Sequence, residues 1–168
     1  MATTFSADAS VDYRSRITNE GALNTITEDL VTGAGGLTEF EFSLSDGTGN
    51  NQAQLQWYDS RTLTAGASET LDLRALTGRH SDTITFAEVK WLIIRIQSPG
   101  TGVSLTIGGA ASDEWSAAMG AAGDKYKVQT FDMKVGCEGW TVDATHKNLK
   151  IENPGSGSVT YDIIILGN

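Results

Sequence analysis

Residues that link a small domain covalently or through a metal are scarce in this sequence. One cysteine, Cys137, is present, which excludes an intramolecular disulfide. The two histidines, His80 and His146, lie far apart in the chain, and only His146 has the cysteine near it. A structural zinc site usually needs about four such ligands, so we expect none. The fold must therefore rest on buried apolar side chains and hydrogen bonds.

Basic residues and long hydrophobic runs are lacking as well. Twelve lysines and arginines stand against 21 aspartates and glutamates, which gives a net charge of -9 and a pI near 4.5. Nucleic acid and anionic membranes would be repelled by that charge. No wholly apolar run exceeds four residues, whereas a membrane-spanning helix needs about 20. The first residues also lack the basic and apolar regions of a secretory signal, so we expect folding in the cytoplasm.

Proline is rare, with two residues in 168, but other strand and turn residues are abundant. The chain has 19 glycines, 20 threonines and 14 serines, about a third of its length. Apolar residues make up 39%, which is enough for one core. A chain that is rich in these residues and poor in strong helix formers is not a helical bundle.

Alternation of apolar and polar residues predicts most of the strands. Residues 37–45 contain Phe-x-Phe-x-Leu, and at 53–57 three apolar residues alternate with glutamines. Residues 89–96 form the most hydrophobic stretch, which indicates a central strand covered on both faces. Short helical turns are expected at 112–119, with Ser112 as the N-cap. Further extended segments are predicted at 70–73, 103–107, 125–133, 140–143, 148–152 and 159–166.

The order of these segments indicates the architecture. Eight or nine strands follow one another without strand–helix–strand alternation, which excludes a parallel doubly wound sheet. We predict an all-β fold, a β-sandwich of the jelly-roll type, with a closed barrel as the alternative. Residues 37–168 would form this sandwich. Residues 1–36 are less regular and would form an N-terminal arm or a first strand, and such an arm can order against a neighbouring subunit.

Signatures of nucleophilic catalysis are missing from the chain. There is no Gly-x-Ser-x-Gly motif, and both histidines lie in polar loop sequences. Lys134 could lower the pKa of the Cys137 thiol, but Glu138 opposes it, so a structural thiol is the better interpretation.

The many carboxylates allow two weaker interpretations. Pairs such as Asp113 with Glu114, or Asp132 with Glu138, can be imagined as the acid and base of a glycosidase. The loop that begins at Asp46 could offer oxygen ligands to Ca²⁺, but it lacks the Asp-x-Asp-x-Asp-Gly pattern. With 21 acidic residues such pairs also arise by chance. We therefore predict a non-enzymatic protein without a cofactor or a metal.

Four tryptophans remain to be assigned. Trp57 and Trp91 fall within apolar strands and are predicted to be core residues. Trp115 and Trp140 lie beside glycine-rich loops, where an indole ring can contact a glycan or another subunit. Packing inside the fold is the favoured interpretation for both, and they are also the two candidate contact residues.

One stretch of the sequence carries a resemblance to known proteins. Residues 56–73 read QWYDSRTLTAGASETLDL. This segment resembles a part of virion proteins of tailed bacteriophages, in which a strand that ends in Asp-Ser/Thr-Arg-Thr-Leu precedes a small-residue turn and Thr-Leu-Asp-Leu. The similarity extends to ITFAEVK at 84–90, LTIGGA at 105–110 and VTYDIIILG at 159–167. It covers about residues 38–168 and supplies no catalytic residue.

The resemblance implies a structural protein of the phage virion, made in the cytoplasm of the bacterial host. The first expectation is a head decoration (cement) protein, a homo-oligomer and most simply a trimer, with the phage major capsid protein as its partner. The alternative is a tail or fibre component that binds a host surface glycan through Trp115 or Trp140. A small polysaccharide hydrolase is the third and least favoured reading.

Overall fold

A computed structural model describes residues 5–12, 15–20, 25–30, 39–78 and 81–168; His80 lies outside these ranges. No helix occurs in the described parts of the chain, so the predicted all-β class is confirmed. The strands are β1 Ala7–Asp12, β2 Ser15–Glu20, β3 Thr25–Leu30, β4 Glu39–Asp46, β5 Gln52–Ala53, β6 Leu55–Leu63, β7 Ser68–Asp72, β8 Leu76–Thr77, β9 Thr83–Ile84, β10 Glu88–Ile96, β11 Leu105–Gly108, β12 Lys125–Val128, β13 Phe131–Thr141, β14 Asn148–Glu152 and β15 Val159–Gly167.

The smaller of two compact units covers Ser6–Ser45. In it β1 runs antiparallel to β4, and β2 forms an antiparallel ladder with β3. The unit therefore reaches beyond the boundary that the sequence indicated after residue 36, because β4 pairs back onto β1. Three strands precede residue 37, where the sequence indicated either an arm or a single strand. The Arg-Ile-Thr segment of β2 and the Thr-Ile-Thr segment of β3 contain residues with strand propensity. They lack the repeated alternation of apolar and polar residues that marks a core strand.

The larger unit, Asp46–Asn168, contains two four-stranded sheets whose neighbouring strands are all antiparallel. The front sheet has the order β13-β10-β15-β6, and the back sheet has the order β12-β11-β14-β7. β8 and β9 add a short separate ladder. Consecutive strands of the chain mostly lie in different sheets, so the connections cross from one sheet to the other.

The core lies between the two sheets. Along β15 the side chains of Tyr161, Ile163 and Ile165 are fully buried, while those between them are more exposed. Each buried aliphatic side chain of this size stabilises the fold by about 1.5–3 kcal/mol. This shared core makes the larger unit sandwich-like, as predicted. Facing residues of the back sheet include Leu71, Leu105, Ile107, Leu149 and Ile151.

β10 is the central strand that its hydrophobicity predicted. It pairs with β13 on one side and with β15 on the other. The register shifts between Val89 and Trp91 in both ladders, which marks a β-bulge at Lys90. Lys90 is 1% exposed, and its ammonium donates to the Glu88 carboxylate at 2.7 Å and to the Glu138 carbonyl. The buried charge is thus paired at the bulge.

The helical turns predicted at 112–119 do not form a helix. Asp113 has a φ of 47°, in the left-handed region, so the chain does not continue from Ser112 into a helical turn. Trp115 instead enters the core, and its amide donates to the Asn148 carbonyl at 3.0 Å. Tertiary burial of one large ring therefore overrides the local preference for a helix.

The buried amide of Asn153 joins two turns of the sandwich. The side chain is 0% exposed. Its Nδ2 donates to the carbonyls of Leu63 at 3.1 Å, Thr64 at 3.0 Å and Gly157 at 2.7 Å, and its Oδ1 accepts from the Gly155 amide at 3.0 Å. One side chain thus satisfies the backbone at the end of β6 and in the turn that precedes β15.

We expect Asn153→Ala to lower the free energy of unfolding by about 3 kcal/mol, because it leaves buried carbonyls without a donor. Urea denaturation followed by fluorescence measures the change. Asn50→Ala, in an exposed turn, is the control and should cost less than about 0.5 kcal/mol. A loss for Asn153→Ala no larger than that of the control would contradict the assignment.

Candidate functional site

The outer face of the front sheet carries an ordered set of side chains. In a strand, alternate residues point to the same face, and paired residues on neighbouring strands lie side by side. Across the four strands one row is formed by Tyr58, Ile164, Ile93 and Met133, which are paired in that order. We call this the apolar row. All four face away from the core.

A second row lies beside the first. It consists of Ser60, Asp162, Arg95 and Phe131, again paired across the four strands. The Arg95 guanidinium donates to Oδ2 of Asp162 from Nε at 3.0 Å and from Nη2 at 2.5 Å. Gln97, at the end of β10, donates from Nε2 to Oδ1 of Asp162 at 2.8 Å and to the Ser60 hydroxyl at 2.9 Å. We call these four polar side chains the polar cluster.

Apart from Met133, the residues of the two rows line a groove of about 710 Å³, and Gln97 lies behind its lining. Phe131 is 54% exposed and Tyr58 is 38% exposed, and they belong to the two edge strands of the sheet. At the usual strand spacing, the edge strands lie about 14 Å apart. The groove thus has an aromatic ring toward each side, isoleucines on its floor and the polar cluster at one end. Its lining is Tyr58, Asp59, Ser60, Thr77, Gly78, Ile93, Arg95, Phe131, Asp162, Ile163 and Ile164.

Opposite charges are paired in the groove, with a small negative excess. Hydrogen bonds from Gln97 and then from Arg95 hold the pKa of the Asp162 carboxyl below its ordinary value of 3.8. Asp162 is therefore ionised at neutral pH and is neutralised by Arg95. Asp59 lies with its Oδ2 2.7 Å from Nη1 of Arg61, but the same guanidinium also pairs with Glu69. The site therefore presents fixed hydrogen-bonding groups and no unpaired positive charge.

A second polar network links the two sheets at their β6 and β7 edges. Nε of Arg61 donates to Glu69 at 2.6 Å, and the buried Tyr161 hydroxyl also donates to Glu69. The Glu69 hydrogen bond raises the pKa of Arg61, and burial raises the pKa of Tyr161. The network joins side chains of both sheets and so fixes the spacing of the sheets at this edge.

The tryptophans predicted as contact residues lie elsewhere. Trp115 is 0% exposed and its Nε1 donates to the Thr141 carbonyl at 2.9 Å, so it offers no surface to a ligand. The prediction for Trp115 is therefore wrong, since it is a core residue. Its ring contacts that of Trp140 edge to face, with centroids 6.4 Å apart. Trp140 is half-buried, and its role as a contact remains a prediction.

Other residues considered from the sequence have local structural partners. Both Glu114 carboxylate oxygens accept backbone amides at 2.7 Å, one from Gly109 and one from Gly123. Asp143 accepts hydrogen bonds from Thr145 and His146, and the Thr145 amide is the main reason that the Asp143 pKa is lowered. Within the described ranges, no three His, Cys, Asp or Glu side chains cluster as metal ligands would.

Tyr58 and Phe131 were not among the predicted site residues. The alternation along β6 puts Tyr58 on the face opposite to Trp57 and Asp59, which is a signal that could have found it. Phe131 fell inside a predicted strand at 125–133, which the structure divides into β12 and β13 at a turn. The missing signal was the pairing of strands, which brings Phe131 level with Arg95 and Asp162.

Comparison with known proteins does not identify the chain. No protein-family model matches it, and no curated protein matches it significantly. Within the parts of the chain that the structure covers, no helix has the length and apolar character needed to cross a bilayer. The groove and the fold are therefore the observations on which an interpretation can be built.

The Asp162 pairing predicts an acid-dependent loss of stability. Because its folded-state pKa is lowered, the contribution is complete above the ordinary pKa of 3.8 and is lost as the pH falls through the folded-state value. We expect the urea midpoint of the wild type to fall more steeply than that of Asp162→Asn between about pH 5 and pH 2. Glu138→Gln, which removes an exposed carboxylate, is the control and should follow the wild type; equal slopes for all three proteins would contradict the pairing.

Proposed function

We propose that the protein is a non-enzymatic structural component of a tailed-phage virion, a capsid decoration protein that binds the major capsid protein and stabilises the head lattice. It would be made in the bacterial cytoplasm and assembled as a homo-oligomer, with a trimer favoured. The observation that carries this proposal is the division of the chain into a sandwich and a small N-terminal unit of strands.

The small unit favours docking on a partner. It spans 40 residues, Ser6–Ser45, and contains no cysteine. A unit of this size rarely buries enough apolar surface to be stable without a disulfide, a metal or contact with another body. A capsid surface can supply that contact, and the sandwich then serves as a rigid body anchored by it.

The strand order of the sandwich supports the jelly-roll part of the proposal. If the eight sandwich strands are numbered from β6 to β15 in chain order, without β8 and β9, the first pairs with the last and the second pairs with the seventh. The third pairs with the sixth, and the fourth pairs with the fifth. This nesting is what results when one long antiparallel ribbon is rolled into two sheets, and it recurs among viral capsid domains.

The alternative is a tail or fibre component that binds a host glycan. Its original support came from the two tryptophans, of which Trp115 is now excluded by its burial. Of the two tryptophans, Trp140 is the one left as a candidate glycan contact. The groove on the front sheet is a second candidate site for a glycan. It is available whether the subunit belongs to the head or to the tail.

Purified capsids that lack this protein test the decoration proposal. We expect saturable binding at a fixed stoichiometry per capsid subunit and a raised capsid melting temperature, because a ligand of the native lattice stabilises it. Light scattering should give a mass three times that of the 17.8-kDa chain. Capsids that already carry the protein are the control. Failure to bind the empty lattice would move the subunit to the tail.

Trypsin tests the role of the N-terminal unit. Arg14 and Arg16 are the lysine or arginine residues before Asp46. In the free protein we expect cleavage at these two positions, because small units open locally at low cost in free energy. On capsids the same sites should be protected, as mass spectrometry of the fragments will show. An N-terminal unit that resists trypsin in the free protein would contradict docking-dependent ordering.

A further inference from the structure

We propose that the groove on the front sheet binds a neutral oligosaccharide. The binding would hold for a subunit on the head or on the tail, so it goes beyond the decoration proposal. It uses Phe131, Tyr58 and the polar cluster, not the tryptophans that the sequence singled out. Three features of the groove select this ligand: its exposed rings, its fixed polar groups and its lack of an unpaired positive charge.

The rings supply surfaces on which sugars pack. Phe131 is 54% exposed although a phenyl ring gains free energy by burial. A sugar ring presents C–H groups on its faces, and these pack well against an aromatic face. Tyr58 adds an amphipathic ring on the opposite edge strand. The floor between the rings, Ile93 and Ile164, is apolar and half-buried.

The polar cluster supplies donors and acceptors already in position. Gln97, Arg95 and Ser60 are held on or beside the Asp162 carboxylate by hydrogen bonds of 2.5–3.0 Å. Sugar hydroxyls both donate and accept, so they need a site that mixes the two kinds of group. Planar carboxylate, guanidinium and amide groups can each contact two adjacent hydroxyls. Because these side chains are fixed by one another, little further entropy is lost on binding.

The charge balance and size of the groove exclude other ligands of similar polarity. Arg95 is neutralised by Asp162, so an anion finds no unpaired positive charge in the groove. Asp59 shares the Arg61 guanidinium with Glu69, so the small excess of charge is negative and disfavours anionic sugars as well. A purely apolar partner would cover the polar cluster without satisfying its remaining groups. The volume of about 710 Å³ is that of a small-ligand site and fits roughly two or three sugar rings.

The test uses the full-length protein and a panel of neutral trisaccharides: maltotriose, cellotriose, chitotriose and mannotriose. Isothermal titration and saturation-transfer NMR should show saturable binding of at least one of them. Phe131→Ala and Arg95→Ala should each weaken that binding by about tenfold or more. Arg74→Ala removes an exposed arginine outside the groove and should bind like the wild type.

Conservative variants separate recognition from folding. Phe131→Leu keeps an apolar side chain but loses the ring, and Arg95→Lys keeps the charge but loses the planar fork. Both should weaken binding while their urea midpoints stay near that of the wild type, and capsid binding should be unchanged. The proposal is overturned if no trisaccharide binds, or if the groove variants bind as the wild type does. If the wild type self-associates and Phe131→Ala does not, the groove binds a second copy of the chain and the oligosaccharide proposal is wrong.

Discussion

The register of β15 is the constraint on which the rest of the sandwich depends. This strand pairs with β10 on one side and with β6 on the other over most of its length. Its alternate residues build the core on one face and the groove on the other, with Tyr161 inside and Asp162 outside. A slip of one residue would exchange the two faces and place a carboxylate in the core. Core and groove are therefore specified together.

The hydrogen bonds among Arg61, Glu69 and Tyr161, which we call the inner network, make a change of that register costly in free energy. Tyr161 donates to Glu69 of the back sheet, and Glu69 also binds Arg61 on the neighbouring strand β6. The three side chains can meet only if β15, β6 and β7 hold their present alignment. Asn153 adds a second fixed point directly after β14, through its bonds to the end of β6. Polar groups thus determine the alignment, while apolar burial supplies most of the free energy.

Much of the fold follows from the sequence because strand alternation is a local signal. The sequence predicted β14 at 148–152 and the central place of β10, and the structure agrees. The segment at 112–119 contains one turn, which the Ser116 carbonyl closes, but no helix starts at Ser112. The burial of Trp115 against distant residues decides the conformation there. At most one of the three strands before residue 37 was predicted, since their short segments are mostly polar and lack a repeated apolar alternation.

The groove could not be predicted in the same way, because it depends on long-range pairing. Arg95, Asp162 and Ser60 are far apart in the chain, and the order of the strands alone makes them neighbours. The outer rows nevertheless tolerate change better than the inner network does. Arg95 is 65% exposed at its side chain, whereas Tyr161 is 0% exposed. A substitution in the outer rows changes contacts with solvent or a ligand. The core face of β15 still fixes the alignment of that strand. One strand can therefore fix the core with one face and carry a ligand-binding surface on the other.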